Sequence, residues 1–475
     1  VDRDREITNF KSQPYWQIFA TIKDIDLKHP KDIFDKKELD DFKDIKKGIA
    51  EPTEKEQSYS PPHPFDLTTL QREAYAHHKL SPSRTLQLAQ SLYLDGIISY
   101  PRTSSQKIPK EIEPKKIITK LAKRFPEARI AIRQNPIEGE KSDPAHPSIY
   151  PTGDFKQLSE EEEKLYTLIV KRFLSCFSPD AKGVEKHIVL ISDNNKKFTA
   201  NGLTITDKGW TNVYPTIMEE RSIPTINDPV NIDKIRFDDK VTQPPKRYTP
   251  ASLVTLLEKK SLGTKSTRSM IVDILFDRGY LDGKSIEATP LGIKLIEALE
   301  KYSPIIIDEN LTRQVEEKTE QIQEAKSGWP QKEEETIKRV EQLITDISKE
   351  FKVNELSIGK QILLGIQDLR EQQKEQNTIM PCTKCNAGNL QIRYSKKTKH
   401  YFVGCSNYPN CTAVHSLPPN ALIKKTDKVS ERNLPILVAL RKGKRPWEFE
   451  FNPNWRAEQS ENPDYKKQED KNGSR

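Results

Sequence analysis

The sequence predicts an α+β protein built from several domains. Strand-like and helix-like segments follow one another in separate blocks, which is typical of that class. With 475 residues, of which 34% are hydrophobic and 31% charged, the chain suits several modest domains better than one thick core. Four of the five cysteines cluster near the C-terminus, which favours a bound metal over a disulfide framework. We therefore expect an α+β multidomain protein that ends in a small metal-bound module.

Composition also limits the function classes. The formal net charge of +8 is a mild indication of a polyanionic partner. The longest apolar run, residues 434–440, has seven residues, so we expect no membrane span. The opening residues, VDRDREITNF, have no apolar stretch and predict no signal peptide. Because the chain begins with Val and its cysteines suit a reducing compartment, we expect part of a longer cytoplasmic protein.

Two strand-rich segments flank a helical one in the first half of the chain. Residues 1–60 contain alternating runs such as WQIFATI and end at a proline cluster. Residues 61–186 show helical spacing, and Ser81 followed by Pro82 predicts an N-cap and a first helical position. Residues 187–245 return to strands, with HIVLIS, KFTANGLTI and GWTNVYP as candidates. We expect the helical segment, closed by a helix over 159–177, to be an insertion in one β domain.

The stretch LDGIISYPRTSS carries the clearest catalytic candidate, Tyr100. It follows a short apolar run and precedes Arg102 by two residues, so a phenol and a guanidinium leave a buried segment together. A phenolate that attacks a phosphodiester needs a neighbouring cation to stabilise the transition state. Arginine suits this role because its planar fork holds two phosphate oxygens at once. The alternative on this local pattern is a packing role, since the chain has 15 tyrosines.

The second half of the chain begins with helices and then reaches the cysteines. Residues 246–376 predict long charged helices. In residues 377–420, the spacing Cys382-x2-Cys385 and Cys405-x5-Cys411 predicts a tetrahedral Zn²⁺ site on two turns. His400 and His415 are expected at the surface rather than as ligands, because four thiolates already complete the site. Basic and aromatic residues between the two cysteine pairs favour contact with single-stranded DNA, and a purely structural role for zinc is the alternative.

A second ribbon without cysteines is expected after the zinc module, over residues 421–455. The layout is similar, so apolar side chains would replace the metal, and a basic linker is the alternative reading. The side chains expected to hold it are Leu434, Ile436, Val438, Trp447 and Phe451. The polar residues 456–475 are predicted to be disordered.

Taken together, these motifs resemble the type IA DNA topoisomerases, most closely the archaeal members, over nearly all of residues 5–455. The resemblance rests on the order of several segments. They are REITNFKSQPYW, the stretch from PFDLTTLQREAYAHH to SYPRTSSQKIP, DPAHPSIYPTG, RYTPASLVTLLEKKSLGTKSTRSMIVDILFDRGYL and CTKC…CSNYPNC. The family's fold implies a toroidal core with a strand-rich arch (1–60 and 187–245), a helical active-site module (61–186) and a helical domain (246–376), followed by the zinc ribbon.

The resemblance also implies roles for individual residues. Tyr100 would form a 5′-phosphotyrosyl bond with DNA, Arg102 would hold the scissile phosphate, and His146 would contact the phosphate or nearby backbone. The alternative for His146 is a capping role in a Pro-rich loop. The residues implied to line a single-strand DNA groove are Arg247, Thr249, Thr264, Lys265, Thr267 and Arg268. A Gly263 that opens a helix beside hydroxyls and cations suits phosphate binding, although an ordinary helix start capped by Thr264 or Ser266 would look alike.

The family reaction would be ATP-independent relaxation of negatively supercoiled DNA by cutting, strand passage and religation. No GxxxxGK[ST] phosphate loop occurs, which agrees with independence from ATP. The family's N-terminal metal-binding (Toprim) domain, with its glutamate and its acidic cluster for Mg²⁺, has no counterpart in the sequence. The alternative function is therefore a non-catalytic fragment that binds single-stranded DNA. The remaining expectations are a monomer that acts on single-stranded segments of underwound duplex, at the nucleoid.

A reverse gyrase half and a tyrosine recombinase are weaker alternatives. The first would need helicase motifs, and the second would need several Arg and His residues spaced around the tyrosine. No helicase motif is visible, and in place of a recombinase pattern the sequence offers the topoisomerase-like motifs in order. The fifth cysteine, Cys176, lies on the apolar face of a predicted helix, and we expect it to be buried.

Overall fold

The computed structural model describes residues 1–454 except 144, 217, 225, 227–228, 325–326 and 442–443. The predicted disordered tail, 456–475, lies outside the described residues. The chain forms two compact units. The first comprises Val1–Gly292 with Leu299–Asn354, and the second comprises Ile293–Ala298 with Glu355–Arg475. The seven-part division expected from the sequence stays a prediction.

A seven-stranded antiparallel sheet is the largest element of the first unit. Strands β3 (Lys47–Tyr59) and β4 (Ala181–Ser192) pair from Gly48 opposite Ser192 to Tyr59 opposite Ala181. The chain therefore leaves the sheet at Tyr59 and returns beside the same strand at Ala181, and the helical segment is an insertion between neighbouring strands. In chain order the strands are β1 Pro14–Ile22, β2 Ile25–Lys28, β3 Lys47–Tyr59, β4 Ala181–Ser192, β5 Lys197–Asp207, β6 Val230–Asn231 and β7 Lys234–Val241. Across the sheet their order is β6-β3-β4-β5-β2-β1-β7.

The sheet buries alternate residues of β1, β2, β4 and β5, as the alternation in the sequence predicts. In β1, Ile18, Ala20 and Ile22 are buried, since side chains two apart share a face. The predicted strand GWTNVYP is wrong. Residues Gly209–Asn212 instead form a 3₁₀ turn that begins at a positive φ of 44°. The buried Trp210 there donates its indole N–H to the Tyr59 carbonyl at 2.8 Å, which holds the turn against the end of β3.

The inserted segment is helical, and its predicted caps are present. Ser81 accepts a hydrogen bond from the Arg84 amide, and Pro82 is the first helical residue, as predicted. Ser159 and Glu162 form a capping box at the start of the last helix. Apolar residues of these helices form one buried core that includes Leu92, Ile169 and Phe173. The helices are α2 Leu67–His78, α3 Pro82–Leu94, α4 Pro114–Leu121 and α5 Glu160–Cys176, and a short α1, Asp2–Thr8, precedes the sheet.

Helices dominate residues 246–377, as expected from the sequence. The helix α8 and the long helix α10 each contribute residues to both units. No helix in the described part of the chain is both long enough and apolar enough to cross a membrane. The elements are α6 Pro250–Lys259, α7 Arg268–Asp277, the hairpin β8 Leu281–Asp282 with β9 Glu287–Ala288, α8 Pro290–Tyr302, α9 Glu309–Glu324 and α10 Trp329–Asn377.

Two small antiparallel sheets that share one apolar core form the C-terminal part of the second unit. The first sheet has four strands, β10 Thr378–Pro381, β11 Asn389–Ser395, β12 His400–Cys405 and β13 Val414–Ser416. The second has three strands, β14 Leu422–Val429, β15 Pro435–Leu440 and β16 Trp447–Glu450.

The predicted core of the second small sheet is partly wrong. Phe451 is buried, but Leu437 and Ala439 fill the core where Ile436 and Val438 were expected, and Trp447 is 51% exposed. A shift of one residue exchanges the two faces of a strand, and a strand that is apolar at every position does not specify its face.

Candidate active site and zinc centre

The loop that carries Tyr100 begins where α3 ends. Gly96 adopts a φ of +75°, and the amides of Gly96 and Ile97 bond back to the carbonyls of Tyr93 and Leu92. This Schellman motif closes the helix and requires a residue that tolerates positive φ. Ile97 and Ile98 are then buried, and Tyr100 follows them as a half-buried residue.

A second segment, residues 146–151, holds the Tyr100 loop from the side. Ile98 forms an isolated bridge with Pro151, and the Ser99 amide donates to the Tyr150 carbonyl at 2.9 Å. The Ser99 hydroxyl donates to the Ser148 carbonyl at 3.0 Å. The loop therefore has a fixed backbone immediately before the tyrosine.

Tyr100 and His146, to which the family resemblance gives separate roles at the DNA backbone, are neighbours in the structure. Their ring centroids are 4.4 Å apart, and the ring of Tyr93 lies edge-on to Tyr100 at 5.3 Å. The Thr103 hydroxyl donates to the His146 carbonyl at 3.2 Å, which ties the two segments together again. Within the described part of the chain, the Tyr100 hydroxyl has no hydrogen-bond partner and is free to meet an incoming group.

Arg102 carries a charge that nothing in the described part of the chain neutralises. Its Nε is buried and has no hydrogen-bond partner, and its guanidinium makes no ion pair with any described residue. A buried donor of this kind is costly unless a ligand satisfies it. The unsatisfied guanidinium lies two residues from the tyrosine, so this part of the loop is suited to bind an anion.

Asp143 joins the Tyr100 loop to the His146 segment. One carboxylate oxygen accepts from the Ser104 amide at 3.3 Å and from its hydroxyl at 3.2 Å. The other accepts from the amides of Ala145 and His146 at 3.1 and 3.3 Å. Lys265 forms an ion pair with the same carboxylate. Asp143 was not among the residues predicted from the sequence, although its position three residues before His146 in DPAH was an available signal.

Burial would raise the pKa of the Asp143 carboxyl, but the Lys265 ammonium and the backbone amides of Ala145 and Ser104 outweigh it. They lower the pKa to about 2. The group is therefore a carboxylate at any working pH.

The predicted DNA-groove residues have different surroundings. Lys265 forms an ion pair with Asp143, which in turn accepts hydrogen bonds from Ser104. Among the contacts of the described residues, this one connects the predicted groove to the Tyr100 loop. Arg247 pairs instead with Asp4 and with Glu287, and the latter pair measures 3.3 Å. Thr249 accepts from the Ser252 amide at 3.2 Å and caps α6. Arg247 and Thr249 thus have structural partners, and their DNA roles stay predictions.

The segment from Gly263 to Thr267 is a turn before α7, not the first turn of a helix. Gly263 has a φ of +67°, and the Thr264 amide donates to the Thr267 hydroxyl at 2.9 Å. The helix begins at Arg268, whose Nε donates to the Leu262 carbonyl at 3.0 Å. The expectation that Gly263 opens the helix is therefore wrong by five residues, because the side chain of Thr267 holds the turn.

The four predicted cysteine ligands form a cluster in the second unit. Their Sγ atoms all lie within 4.8 Å of one another, and Cys382, Cys405 and Cys411 are buried. The Sγ atoms of Cys382 and Cys411 are 3.9 Å apart, and those of Cys385 and Cys405 are 3.7 Å apart. A tetrahedron with Zn–S bonds of about 2.3 Å has edges of about 3.8 Å. The cluster therefore has the size of a zinc site with four cysteine ligands.

The turns around the cysteines suit thiolate ligands. Backbone amides of Ala387 and Gly388, together with neighbouring thiols, lower the pKa of Cys385, whereas at Cys405 the effect of the Asn407 amide is outweighed by burial and the other three thiols, which raise the pKa. The Asn407 amide donates to Cys405 Sγ at 3.4 Å. A Cβ atom added to Gly388 would lie 2.9 Å from Cys405 Sγ, so the turn leaves no room for a side chain there. His400 and His415 are not part of the cluster, as expected.

The β11–β12 hairpin and the cysteine-bearing turn 405–411 carry exposed aromatic and basic side chains. Tyr394 and Tyr401 are opposite each other on β11 and β12, with ring centroids 5.0 Å apart. Tyr394 is 50% exposed and Tyr408 is 68% exposed. Lysines follow in the turn 396–399. Exposed rings beside cations can stack on unpaired bases and contact phosphates.

Comparisons with known proteins agree with this arrangement. Residues 1–332 match the family described as DNA topoisomerase, and residues 379–420 match the topoisomerase DNA binding C4 zinc finger. The chain is similar to DNA topoisomerase 1 of Pyrococcus horikoshii, with 39% identity over 96% of this chain and 69% of that protein. It is also similar to DNA topoisomerase 1 of Methanocaldococcus jannaschii, with 40% identity over 92% of this chain and 58% of that protein.

A solved structure shares the fold. Full-length topoisomerase I from Thermotoga maritima superposes with a TM-score of 0.59 and 22% identity, over 90% of this chain and 70% of that chain. The chain spans 58 to 69% of the length of the two archaeal relatives. The family match covers the sheet, the inserted helices and the Tyr100 loop, and the zinc-finger match covers the cysteine cluster. The chain belongs to the type IA DNA topoisomerase family.

Proposed function

We propose that Tyr100 is the nucleophile that cuts one DNA strand in an ATP-independent relaxation of negatively supercoiled DNA. The phenol oxygen attacks a backbone phosphorus, a 5′-phosphotyrosyl bond forms, and the P–O3′ bond breaks to release a 3′-hydroxyl. A second strand passes, and the 3′-hydroxyl then attacks the phosphotyrosine and restores the phosphodiester. The number of phosphoester bonds is conserved, so the cycle needs no ATP.

The observation that carries this proposal is the unsatisfied Arg102 beside Tyr100. The guanidinium has no partner in the described part of the chain, and a phosphate would supply one. Charge that develops on the phosphate oxygens would be stabilised by the same group. The ring of His146, 4.4 Å from the Tyr100 ring, bounds the space beside the phenol and supports its assignment as a phosphate or backbone contact.

Magnesium is expected for the complete family enzyme, and the described residues contain no group of three or more carboxylate ligands for it. The cysteine cluster is the one group of three or more metal-ligating side chains found in the described residues, and thiolates are soft ligands. Mg²⁺ prefers carboxylate and water oxygens. No step of the proposed reaction is therefore assigned to Mg²⁺ bound by this chain.

DNA is the partner that both family matches favour, and we propose that single-stranded segments are the form bound. Tyr394, Tyr401 and Tyr408 offer ring faces for bases, and the neighbouring lysines offer charge for phosphates. Binding should weaken as salt rises, because phosphate contacts release counterions. The chain is proposed to act as a monomer.

The test is a covalent adduct assay with end-labelled single-stranded DNA, Mg²⁺ and the purified chain. A denaturing gel should show a protein–DNA adduct that Tyr100→Phe abolishes. Tyr75→Phe is the matched control, since Tyr75 is a half-buried tyrosine of α2 in the same inserted segment. An adduct that persists in Tyr100→Phe would refute the assignment. Salt-sensitive binding without an adduct would favour the non-catalytic single-stranded DNA-binding fragment instead.

A further inference from the structure

Asp143 is a nearly fully buried carboxylate with an unusual set of donors. Its side chain is 3% exposed, and it receives five donors, from Ser104 (two), Ala145, His146 and Lys265. A buried carboxylate is costly unless hydrogen bonds and an opposite charge compensate it. We propose that Asp143 is a positioning residue for the reaction of Tyr100, a role that rests on the proposed function.

The geometry places Asp143 between the two backbone segments that hold the reacting groups. One carboxylate oxygen fixes Ser104, four residues after Tyr100, and the other fixes the amide of His146 itself. The rings of Tyr100 and His146 meet at 4.4 Å in between. The carboxylate therefore links the two segments on the C-terminal side of Tyr100, in addition to the bonds that Ser99 and Thr103 make to the same segment. Without it, three backbone amides and one hydroxyl lose their acceptor, and the backbone after Tyr100 is held less firmly against the His146 segment.

Lys265 extends this arrangement to the turn before α7. The lysine belongs to the predicted DNA groove, and its ammonium pairs with the oxygen of Asp143 that also binds Ser104. Asp143 thus relates the groove turn to the nucleophile loop. DNA held at the turn would be presented to Tyr100 at a defined distance, and positioning of this kind contributes strongly to catalysis.

A second ion pair fixes the register of the same contact. Lys141, two residues before Asp143 in the chain, forms an ion pair with Glu258 of α6 at 2.5 Å. Asp143 itself forms its ion pair with Lys265. The two pairs have opposite polarity, so a displacement of the loop along α6 and the turn before α7 would bring like charges together. The contact is therefore specific for one alignment, as a positioning role requires.

The experiment compares Asp143→Asn and Asp143→Ala with the unchanged chain. Asn keeps one acceptor oxygen and removes the charge, whereas Ala removes both. Asp154→Asn is the control, because Asp154 is 64% exposed and pairs with Lys120 in the same inserted segment. We measure amide hydrogen exchange at Ser104, Ala145 and His146, the rate of adduct formation at saturating DNA, and the Kd for single-stranded DNA.

The expected result separates positioning from binding and from folding. Exchange at the three amides should accelerate in Asp143→Asn and more in Asp143→Ala, because their acceptor is weakened or lost. Adduct formation should slow by about 10- to 100-fold, since small displacements of reacting groups have large effects on rate. The Kd should change by less than about threefold, because Lys265 and the ribbon remain charged. Asp154→Asn should match the unchanged chain in all three measurements.

Either of two results would overturn the positioning role of Asp143 while leaving the proposed function intact. One is unchanged exchange at the three amides in Asp143→Asn, and the other is faster exchange with an unchanged adduct rate. In either case the unchanged chain still forms its adduct through Tyr100, so the proposed function survives. If the unchanged chain forms no adduct, the proposed function fails and the positioning role falls with it. Exchange rates across β3 and β4 confirm that each variant is folded.

Discussion

At the scale of single residues, Arg102 and Arg247 differ in whether their charge is already compensated within the chain. Both were assigned to DNA from the sequence. Arg102 has a buried Nε without a partner, whereas Arg247 pairs with Asp4 and Glu287. An arginine with internal partners contributes to stability, and an arginine without them is available to a ligand.

This contrast predicts different consequences of removing each arginine. Arg102→Ala should slow adduct formation about 100-fold with little change in the free energy of unfolding, because it removes a stabiliser of the developing charge. Arg247→Ala should lower the free energy of unfolding by about 1–3 kcal/mol, since Asp4 then loses its cationic partner in a partly buried place. Adduct kinetics and denaturant unfolding of both variants check the prediction. A stability loss in Arg102→Ala as large as that in Arg247→Ala would contradict it.

The carboxyl of Asp143 predicts a dependence of stability on pH. Its pKa is about 2 in the folded chain, below the ordinary value of 3.8, because Lys265 and the amides favour the charged form over the penalty of burial. A depressed carboxyl pKa contributes stability above the unfolded value, and this contribution is lost as pH falls through the folded value. The shift corresponds to about 2 kcal/mol.

Unfolding by denaturant at several pH values tests this. The stability advantage of the unchanged chain over Asp143→Asn should grow by about 2 kcal/mol as pH rises from about 2 to about 4, and stay constant above that. The exposed ion pair between Asp154 and Lys120 serves for comparison. Asp154→Asn should lower the free energy of unfolding by at most about 1 kcal/mol. An advantage that does not change with pH would show that Asp143 is not held by charge.

At the scale of elements, helix caps connect local sequence to the active-site loop. Asp66 caps α2 by accepting from the Thr69 amide at 2.7 Å, and its other oxygen accepts from the Gln106 side chain at 2.9 Å. Gln106 belongs to the segment that follows Tyr100 and is buried. The start of α2 therefore also anchors the end of the nucleophile loop.

Asp66→Ala is predicted to cost more than an ordinary cap. Loss of the cap costs about 1 kcal/mol, and the unpaired buried amide of Gln106 adds about 1–3 kcal/mol. Ser159→Ala, at the start of α5, removes a cap box without a second partner of this kind and should cost about 1 kcal/mol. Thermal or denaturant unfolding of the two variants gives the comparison. Equal costs would mean that Gln106 finds another acceptor.

Elements with local signals could be predicted from the sequence, and elements set by distant contacts could not. Ser81-Pro82 and Ser159 mark helix starts because a cap needs only its own turn. GWTNVYP looked like a strand, but its turn is held by a hydrogen bond from Trp210 to Tyr59, about 150 residues earlier in the chain. The core face of β15 was predicted wrongly because both of its faces are apolar in the sequence. Packing against the rest of the module decides which face is buried.

At the scale of the whole molecule, the sequence located the reacting residue types but not the group that holds them. Tyr100, Arg102 and the four cysteines have spacings that carry chemical meaning by themselves. Asp143 acquires meaning only when Ser104 and Lys265 come to it, and Lys265 lies 122 residues away. The DPAH segment marks Asp143 as a neighbour of His146, but no pattern in one sequence records its contact with Lys265. The shared sheet of residues 14–59 and 181–241 was accessible, because strand signals on both sides of a helical block already suggest an insertion.

The five cysteines predict an ordered response to a thiol reagent across the whole chain. Four belong to the zinc cluster, and Cys176 is fully buried on α5, where burial raises its pKa to about 12. The zinc-loaded chain should contain one Zn²⁺, and its thiols should react slowly with the reagent.

A strong chelator should release that ion and expose four reactive thiols, because zinc supplies on the order of 10 kcal/mol to such a module. The fifth thiol should react only when denaturant unfolds α5. Two zinc ions per chain would contradict the metal-free second ribbon. Rapid reaction of a fifth thiol before unfolding would contradict the burial of Cys176. Spectroscopic counting of reactive thiols, together with metal analysis, gives the number of free thiols and the number of zinc ions from one sample.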